Sequence, residues 1–193
     1  MKTRNVVIAA LLAGAAGVAA SLLVDSSWLA RTRLGQAVLQ ADSAKSGVQP
    51  GDRLPALTLA TPSGEVRDVA ALIDGRPALI NLWASWCAPC IKEMPALDAF
   101  SRRQGANGVQ VVGIALDEAE AVRAFLRAHP VGYPVLIDAP GPADAGARLG
   151  DARGVLPYSV LVGADGRILR QWVGPLEPGD LDEWAAAAGR TRD

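Results

Sequence analysis

Ala78-Leu79-Ile80-Asn81-Leu82-Trp83-Ala84-Ser85-Trp86-Cys87-Ala88-Pro89-Cys90 is the stretch whose reading decides the fold. Residues 78–83 form an apolar run broken only by Asn81, the pattern of a central strand buried on both faces. The run leads into a CxxC whose second spacer residue is Pro89. A proline is tolerated in the first helical turn, where its missing N–H is not needed. A helix is therefore predicted over Pro89 to Gln104, kinked at Pro95, where a backbone donor is lost. This places Cys87 at or just before a helix start, where unpaired N–H groups and the positive end of the helix dipole stabilise a thiolate. Cys90 lies one turn further on the same face, able to close a disulfide onto Cys87 or to resolve a mixed disulfide. Trp83 and Trp86 supply apolar walls, and the short Ala88-Pro89 spacer is expected to leave Cys87 uncovered.

Outward from this segment the pattern is α/β. Leu57 to Ala60 and Glu65 to Val69 read as short strands around the Pro62-Ser63-Gly64 turn. Gln110 to Leu116 is the strand after the helix. Glu118 to Ala128 reads as an amphipathic helix with Val122, Phe125 and Leu126 on one face. Tyr133 to Ile137 is a short strand and Ala143 to Leu149 a short helix. Ser159 to Val162 and Ile168 to Val173 flank Ala164-Asp165-Gly166, a hairpin signal. A last helix, Pro178 to Ala188, stops at Gly189. The expected architecture is a central mixed β-sheet with helices on both faces.

The 193 residues carry a net charge of −1 and no basic stripe, which argues against nucleic acid as a partner. No glycine-rich phosphate loop appears, so no nucleotide cofactor is expected, nor is haem or flavin. Both cysteines of the chain sit in the CxxC, so they cannot staple distant parts of a fold, and the tiny loop they close constrains the unfolded chain little. The pair suits chemistry better than stapling. A zinc site usually needs four ligands, and the chain adds only His129, which reads as a helix-end residue. Covalent haem attachment needs CxxCH, and Ile91 stands at the histidine position. No metal is expected.

At the N-terminus Lys2 and Arg4 precede Val6 to Val24, nineteen residues without a charge, and Asp25 comes next. At 1.5 Å per residue this run approaches the roughly 30 Å hydrocarbon core of a bilayer. The positive flank sets the C-terminal bulk outside the cytoplasm. Val18-Ala19-Ala20 resembles a cleavage site, so residues 1–25 are read as a membrane anchor or a signal sequence. Residues 26–49 are read as a linker and 50–190 as the folded domain.

Within roughly Gly51 to Trp184 an ordered series of motifs resembles the TlpA-type thioredoxin-fold proteins, a group that includes membrane-anchored reductases for cytochrome c maturation. The series comprises Pro55, Leu57-Thr58-Leu59, the stretch from Asn81 to Cys90, Lys92-Glu93-Met94-Pro95, Val111-Val112-Gly113-Ile114, Gly154-Val155-Leu156-Pro157 and Asp165-Gly166-Arg167-Ile168. The resemblance implies a cis peptide before Pro157, facing the cysteines, with the backbone of Leu156 pairing with a bound peptide beside Trp86. It also implies that Glu93, three residues after Cys90, tunes the thiols. An apolar site would raise the Glu93 pKa, letting it take the Cys90 proton; the other reading is a solvated helix carboxylate. Ordinary thioredoxins carry an Asp where this chain has Asn81, and an amide is no base. Asn81 is expected to hydrogen-bond inside the site.

These residues allow three functions. A disulfide reductase would attack disulfides of exported proteins through Cys87 and resolve through Cys90. The resemblance then implies a domain on the periplasmic side of the inner membrane and a membrane electron donor of the DsbD or CcdA type. Its clients would be apocytochrome c or a copper-site cysteine pair of an oxidase assembly protein. A thiol oxidase or isomerase would run the same chemistry in the other direction. A metallochaperone or binding module would leave the cysteines idle.

Overall fold

The computed structural model describes Thr32, Gly35, Gln36 and residues 47–105 and 108–189. Seven strands form one sheet. They are β1 (Thr58–Ala60), β2 (Val66–Asp68), β3 (Ala78–Trp83), β4 (Gln110–Leu116), β5 (Val135–Asp138), β6 (Tyr158–Val162) and β7 (Ile168–Val173). Their spatial order is β2-β1-β5-β4-β3-β6-β7. The centre is parallel, with β3 beside β4 and β4 beside β5, while β6, β7, β1 and β2 join antiparallel. The mixed sheet expected from the sequence is therefore present.

Among the described residues, five helices cover it: α1 (Val69–Ile73), α2 (Ala88–Gln104), α3 (Ala119–Ala128), α4 (Ala145–Arg148) and α5 (Pro178–Gly189). The period-two alternation of β3 divides the core. Leu79 and Trp83 point to one face, where Met94, Leu97 and Phe100 of α2, Val122 of α3 and Leu181 and Trp184 of α5 pack. Ile80 and Leu82 point to the other, against Val69 and Ile73 of α1 and Ala145 of α4. A side chain such as Leu97 or Phe100, fully removed from water, contributes roughly 1.5–3 kcal/mol by burial. Asn81 shares the α2 face with Leu79 and Trp83, which brings an amide into an apolar layer.

Several boundaries differ from the sequence reading. The strand expected over Glu65 to Val69 runs only over Val66–Asp68, and Asp68 Oδ1 accepts the Ala70 N–H and starts the unexpected helix α1. Tyr133 lies outside β5, and its ring packs beside Gly113 of β4, where even a Cβ would stand 3.1 Å from it. Helix α2 runs uninterrupted through Pro95. His129 is the C-cap of α3, stacked on Phe125 at 4.5 Å. Gly166, at φ 76°, turns the β6–β7 hairpin. The expected membrane segment, residues 6–24, lies outside the described residues. Among those described, no helix is long and apolar enough to cross a membrane. Gln36, from the stretch read as a linker, is docked on the edge of β7.

Candidate active site

The parallel strands β3 and β4 end side by side, and the chain leaving β3 must turn sharply into α2. Cys87 is the N-cap of α2, with extended backbone, and its sulfur accepts the Cys90 N–H at 3.3 Å. Pro89 occupies the first turn. Cys87 and Cys90 are joined by a disulfide. In the reduced protein the same N–H and the helix dipole face the Cys87 sulfur, so negative charge is favoured there over Cys90.

The expectation that Cys87 is uncovered needs correction. It is 4% exposed, and Cys90 is fully buried. The turn folds Cys87 inward, because its N–H donates to Ala84 O at 3.1 Å and its sulfur is drawn to Cys90 in the core. The neighbours stay outside: Trp86 is 69% exposed, and Ala88 and Pro89 are exposed too. Trp83 forms a wall beneath the sulfurs rather than at the surface, packed on Phe125 at 5.2 Å.

A clamp that the sequence reading missed holds this turn. Asp117, the residue after β4, accepts Ser85 N–H at 2.9 Å and Ser85 Oγ–H at 2.6 Å through Oδ2, and Glu118 N–H at 2.8 Å through Oδ1. Burial pushes the Asp117 carboxyl up, but these hydrogen bonds outweigh it and hold it below its usual range. The pairing of β3 with β4 is the signal that could have found it, since it sets the residues just past each strand next to one another.

Glu93 lies one turn beyond Cys90 on the buried side of α2 and is 4% exposed. Of the two readings open in the sequence, the solvated one is therefore excluded. Its Oε1 accepts Asn81 Nδ2–H at 2.8 Å, and its Oε2 accepts Leu176 N–H at 2.7 Å. Burial pushes its pKa up to about 7, although both hydrogen bonds pull it down. Asn81 also donates to Ser159 Oγ at 3.1 Å, while its Oδ1 has no partner among the described residues. Tyr133 sits close enough that the Glu93 charge, after burial itself, raises its hydroxyl pKa. A carboxyl poised near neutrality one helical turn from Cys90 is suited to exchange a proton in either direction once the disulfide is reduced.

The Leu156–Pro157 peptide is cis. Leu156 packs against the cluster that contains both cysteines, and its backbone N–H and C=O have no partner among the described residues. Pro157 O accepts Gly174 N–H at 2.8 Å. Trp86, Val155 and Leu156 thus leave apolar surface around the Cys87–Cys90 turn.

Fold and site together define a thioredoxin-like thiol–disulfide oxidoreductase. The chain belongs to the Redoxin family, whose profile matches residues 49–187, and within it the chain is TlpA/ResA-like. It is 36% identical over 99 residues to thioredoxin-like protein YneN of Bacillus subtilis, an alignment covering 49% of this chain and 57% of YneN. It is 29% identical over 133 residues to thiol-disulfide oxidoreductase ResA of Bacillus anthracis, covering 67% of this chain and 73% of ResA. Among solved structures, a thiol:disulfide interchange protein of the thioredoxin family from Chlorobium tepidum superposes with a TM-score of 0.61 at 26% identity, covering 73% of this chain and 97% of that one. A thioredoxin-related protein from Neisseria meningitidis serogroup B gives 0.60 at 30% identity, covering 68% and 98%.

Proposed function

We propose that this protein reduces disulfides of exported proteins while tethered by residues 6–24 to the outer face of the inner membrane. The observation that carries the direction is Glu93. A carboxylate buried one turn from Cys90 works against negative charge on that sulfur and so disfavours the thiolate. Strong oxidants of this fold depend on a stabilised reduced form, and Glu93 opposes that stabilisation.

Two exchanges carry the electrons. The Cys87 thiolate attacks one sulfur of the client disulfide, and the other leaves as a thiolate that takes a proton. Glu93 carboxylate accepts the Cys90 proton. The Cys90 thiolate attacks the Cys87 sulfur, forming the intramolecular disulfide and releasing the second client thiolate, which takes the proton back. Two electrons pass to the client. The Cys87–Cys90 disulfide is then reduced again by a membrane donor of the DsbD or CcdA type. The backbone of Leu156, unpaired among the described residues, suits antiparallel pairing with an extended client segment, and the exposed ring of Trp86 offers it an apolar surface. Apocytochrome c or a copper-site cysteine pair of an oxidase assembly protein would be such a client.

The test is a redox equilibration with glutathione combined with trapping. A midpoint potential near that of thioredoxin, about −270 mV, supports the reductase, whereas one near that of DsbA, about −120 mV, assigns an oxidase. Cys90→Ser should accumulate mixed disulfides with exported proteins and Cys87→Ser should not. Full activity in both variants, with tight Cu(I) binding, would assign the metallochaperone reading instead.

A further inference from the structure

Between the predicted membrane segment and the folded domain, the side chain of Gln36 reaches back into the sheet. Gln36 is 6% exposed, although it stands in the stretch read as a linker. Its Nε2 donates to Val173 O at 2.8 Å, and its Oε1 accepts Val173 N–H at 3.3 Å. A primary amide that donates to and accepts from one residue does what a neighbouring strand's peptide group would do. It closes the outer edge of β7 where the sheet otherwise stops. Gln36 N–H in turn donates to Thr32 O at 2.9 Å, and Gly35 N–H to Thr32 Oγ at 2.9 Å.

The residues just after Val173 belong to the redox site. Gly174 N–H donates to Pro157 O, the carbonyl of the cis proline. Leu176 N–H donates to Glu93 Oε2. Within four residues, then, one backbone segment is gripped by Gln36, holds the Pro157 loop and supplies one of the two donors on Glu93. Gly174, at φ 102°, is the only non-strand residue between the grip and Pro175, so any slack at Val173 is passed directly to both contacts.

We propose that Gln36 is a positioning residue of the redox site: its amide clasps Val173 and so fixes the segment whose N–H groups hold Pro157 and Glu93. Gln36, although it lies in the stretch read as a linker, is in this way a working part of the active site. The proposal rests on Glu93 serving as the proton carrier in Cys87–Cys90 exchange, and it does not depend on which way electrons flow.

The test uses the full-length chain with Gln36→Ala and Gln36→Met, the second filling the same space without hydrogen bonds. Amide hydrogen exchange at Gly174 and Leu176 should accelerate on the order of tenfold or more in both variants, the effect of losing two hydrogen bonds. Glu93 should then titrate higher by about half a pH unit or more, because a weakened Leu176 N–H favours its charged form less. The midpoint is read by carboxyl NMR in the oxidised protein. There Glu93 faces the Asn81 amide, the Leu176 N–H and the Tyr133 hydroxyl, and the disulfide adds no titrating group. Unchanged exchange at both amides overturns the proposal, as does wild-type behaviour of Gln36→Met or a fall in Tm with the Glu93 midpoint unmoved. Glu93→Gln serves as the separate control. If its reaction pH profile matches wild type, the proton-carrier reading fails, while the amide exchange still reports whether Gln36 fixes the segment.

Discussion

Asn81 Nδ2 and Glu93 Oε1 stand 2.8 Å apart, joining the central strand to helix α2 in the apolar layer that holds the disulfide. The amide serves both states of the carboxyl. Its N–H group binds the carboxylate, and its unpartnered Oδ1 can accept from the acid after rotation. A carboxylate in its place could do only the second. Asn81→Asp would set two carboxyls in contact, and like charges that close cannot both ionise. The pair should titrate in two coupled steps, one above and one below the single wild-type step near pH 7. The pH–rate profile of client reduction checks this; a single unmoved inflection would show that Asn81 does not sense the Glu93 proton.

Glu93 also leaves a mark on stability. Its pKa is raised from 4.5 to about 7 on folding, so the folded protein holds this proton more tightly than the unfolded chain. The stabilisation is complete below pH 4.5 and is lost as pH rises through about 7, by up to roughly 3 kcal/mol. Denaturant unfolding of the oxidised protein should show stability falling across that window. Glu93→Gln should flatten the fall. A variant that keeps the full wild-type slope would place the responsible proton elsewhere.

Asp117 acts with the opposite sign. Its folded pKa lies below the usual value, so its contribution is present above the unfolded pKa of 3.8 and disappears as pH falls through the folded value. Asp117→Ala removes the acceptor for Ser85 N–H and Oγ–H and should cost about 1–3 kcal/mol at neutral pH. Because Ser85 leads into Cys87, the rate of Cys87 alkylation should fall with it. Tm and iodoacetamide kinetics measured together check the pair of effects, and an unchanged alkylation rate would make the clamp purely structural.

Trp86 offers a cleaner separation of binding from folding. As a largely exposed residue it can be replaced by Ala with stability changed by no more than about 0.5 kcal/mol. The KM for a protein disulfide should rise severalfold while the rate with a small disulfide such as glutathione disulfide stays the same. Equal losses on both substrates would assign Trp86 to the chemistry at Cys87 instead of to the client.

Much of the fold was legible because its signals are local. Ala78 to Trp83, Gln110 to Leu116 and Ile168 to Val173 are strands over the residues their apolar runs mark. Helix α1 escaped because Asp68 was read as strand, although its side chain caps the turn that starts at Val69. Strand β5 starts later than read because Tyr133 turns into the space beside Gly113. In the site, Cys87, Cys90 and Glu93 sit within seven residues on one helix end, so spacing alone groups them. The contributions of Asp117, Leu176 and Gln36 come from the end of β4, from the loop after β7 and from before the domain. Two of the four hydrogen bonds that fix Glu93 and Val173 use backbone N–H groups, which every residue but proline carries and no residue type announces.

Leu176 comes more than eighty positions after the cysteines, so during synthesis the CxxC leaves the ribosome well before the amide that completes the Glu93 environment. Until the last strand and helix close over α2, that carboxyl is wet and acidic, and the two sulfurs beside it behave as ordinary thiols. A nascent chain therefore carries its CxxC before the site that governs it exists, and the raised proton affinity of Glu93 is acquired only once the C-terminal third has been made and folded.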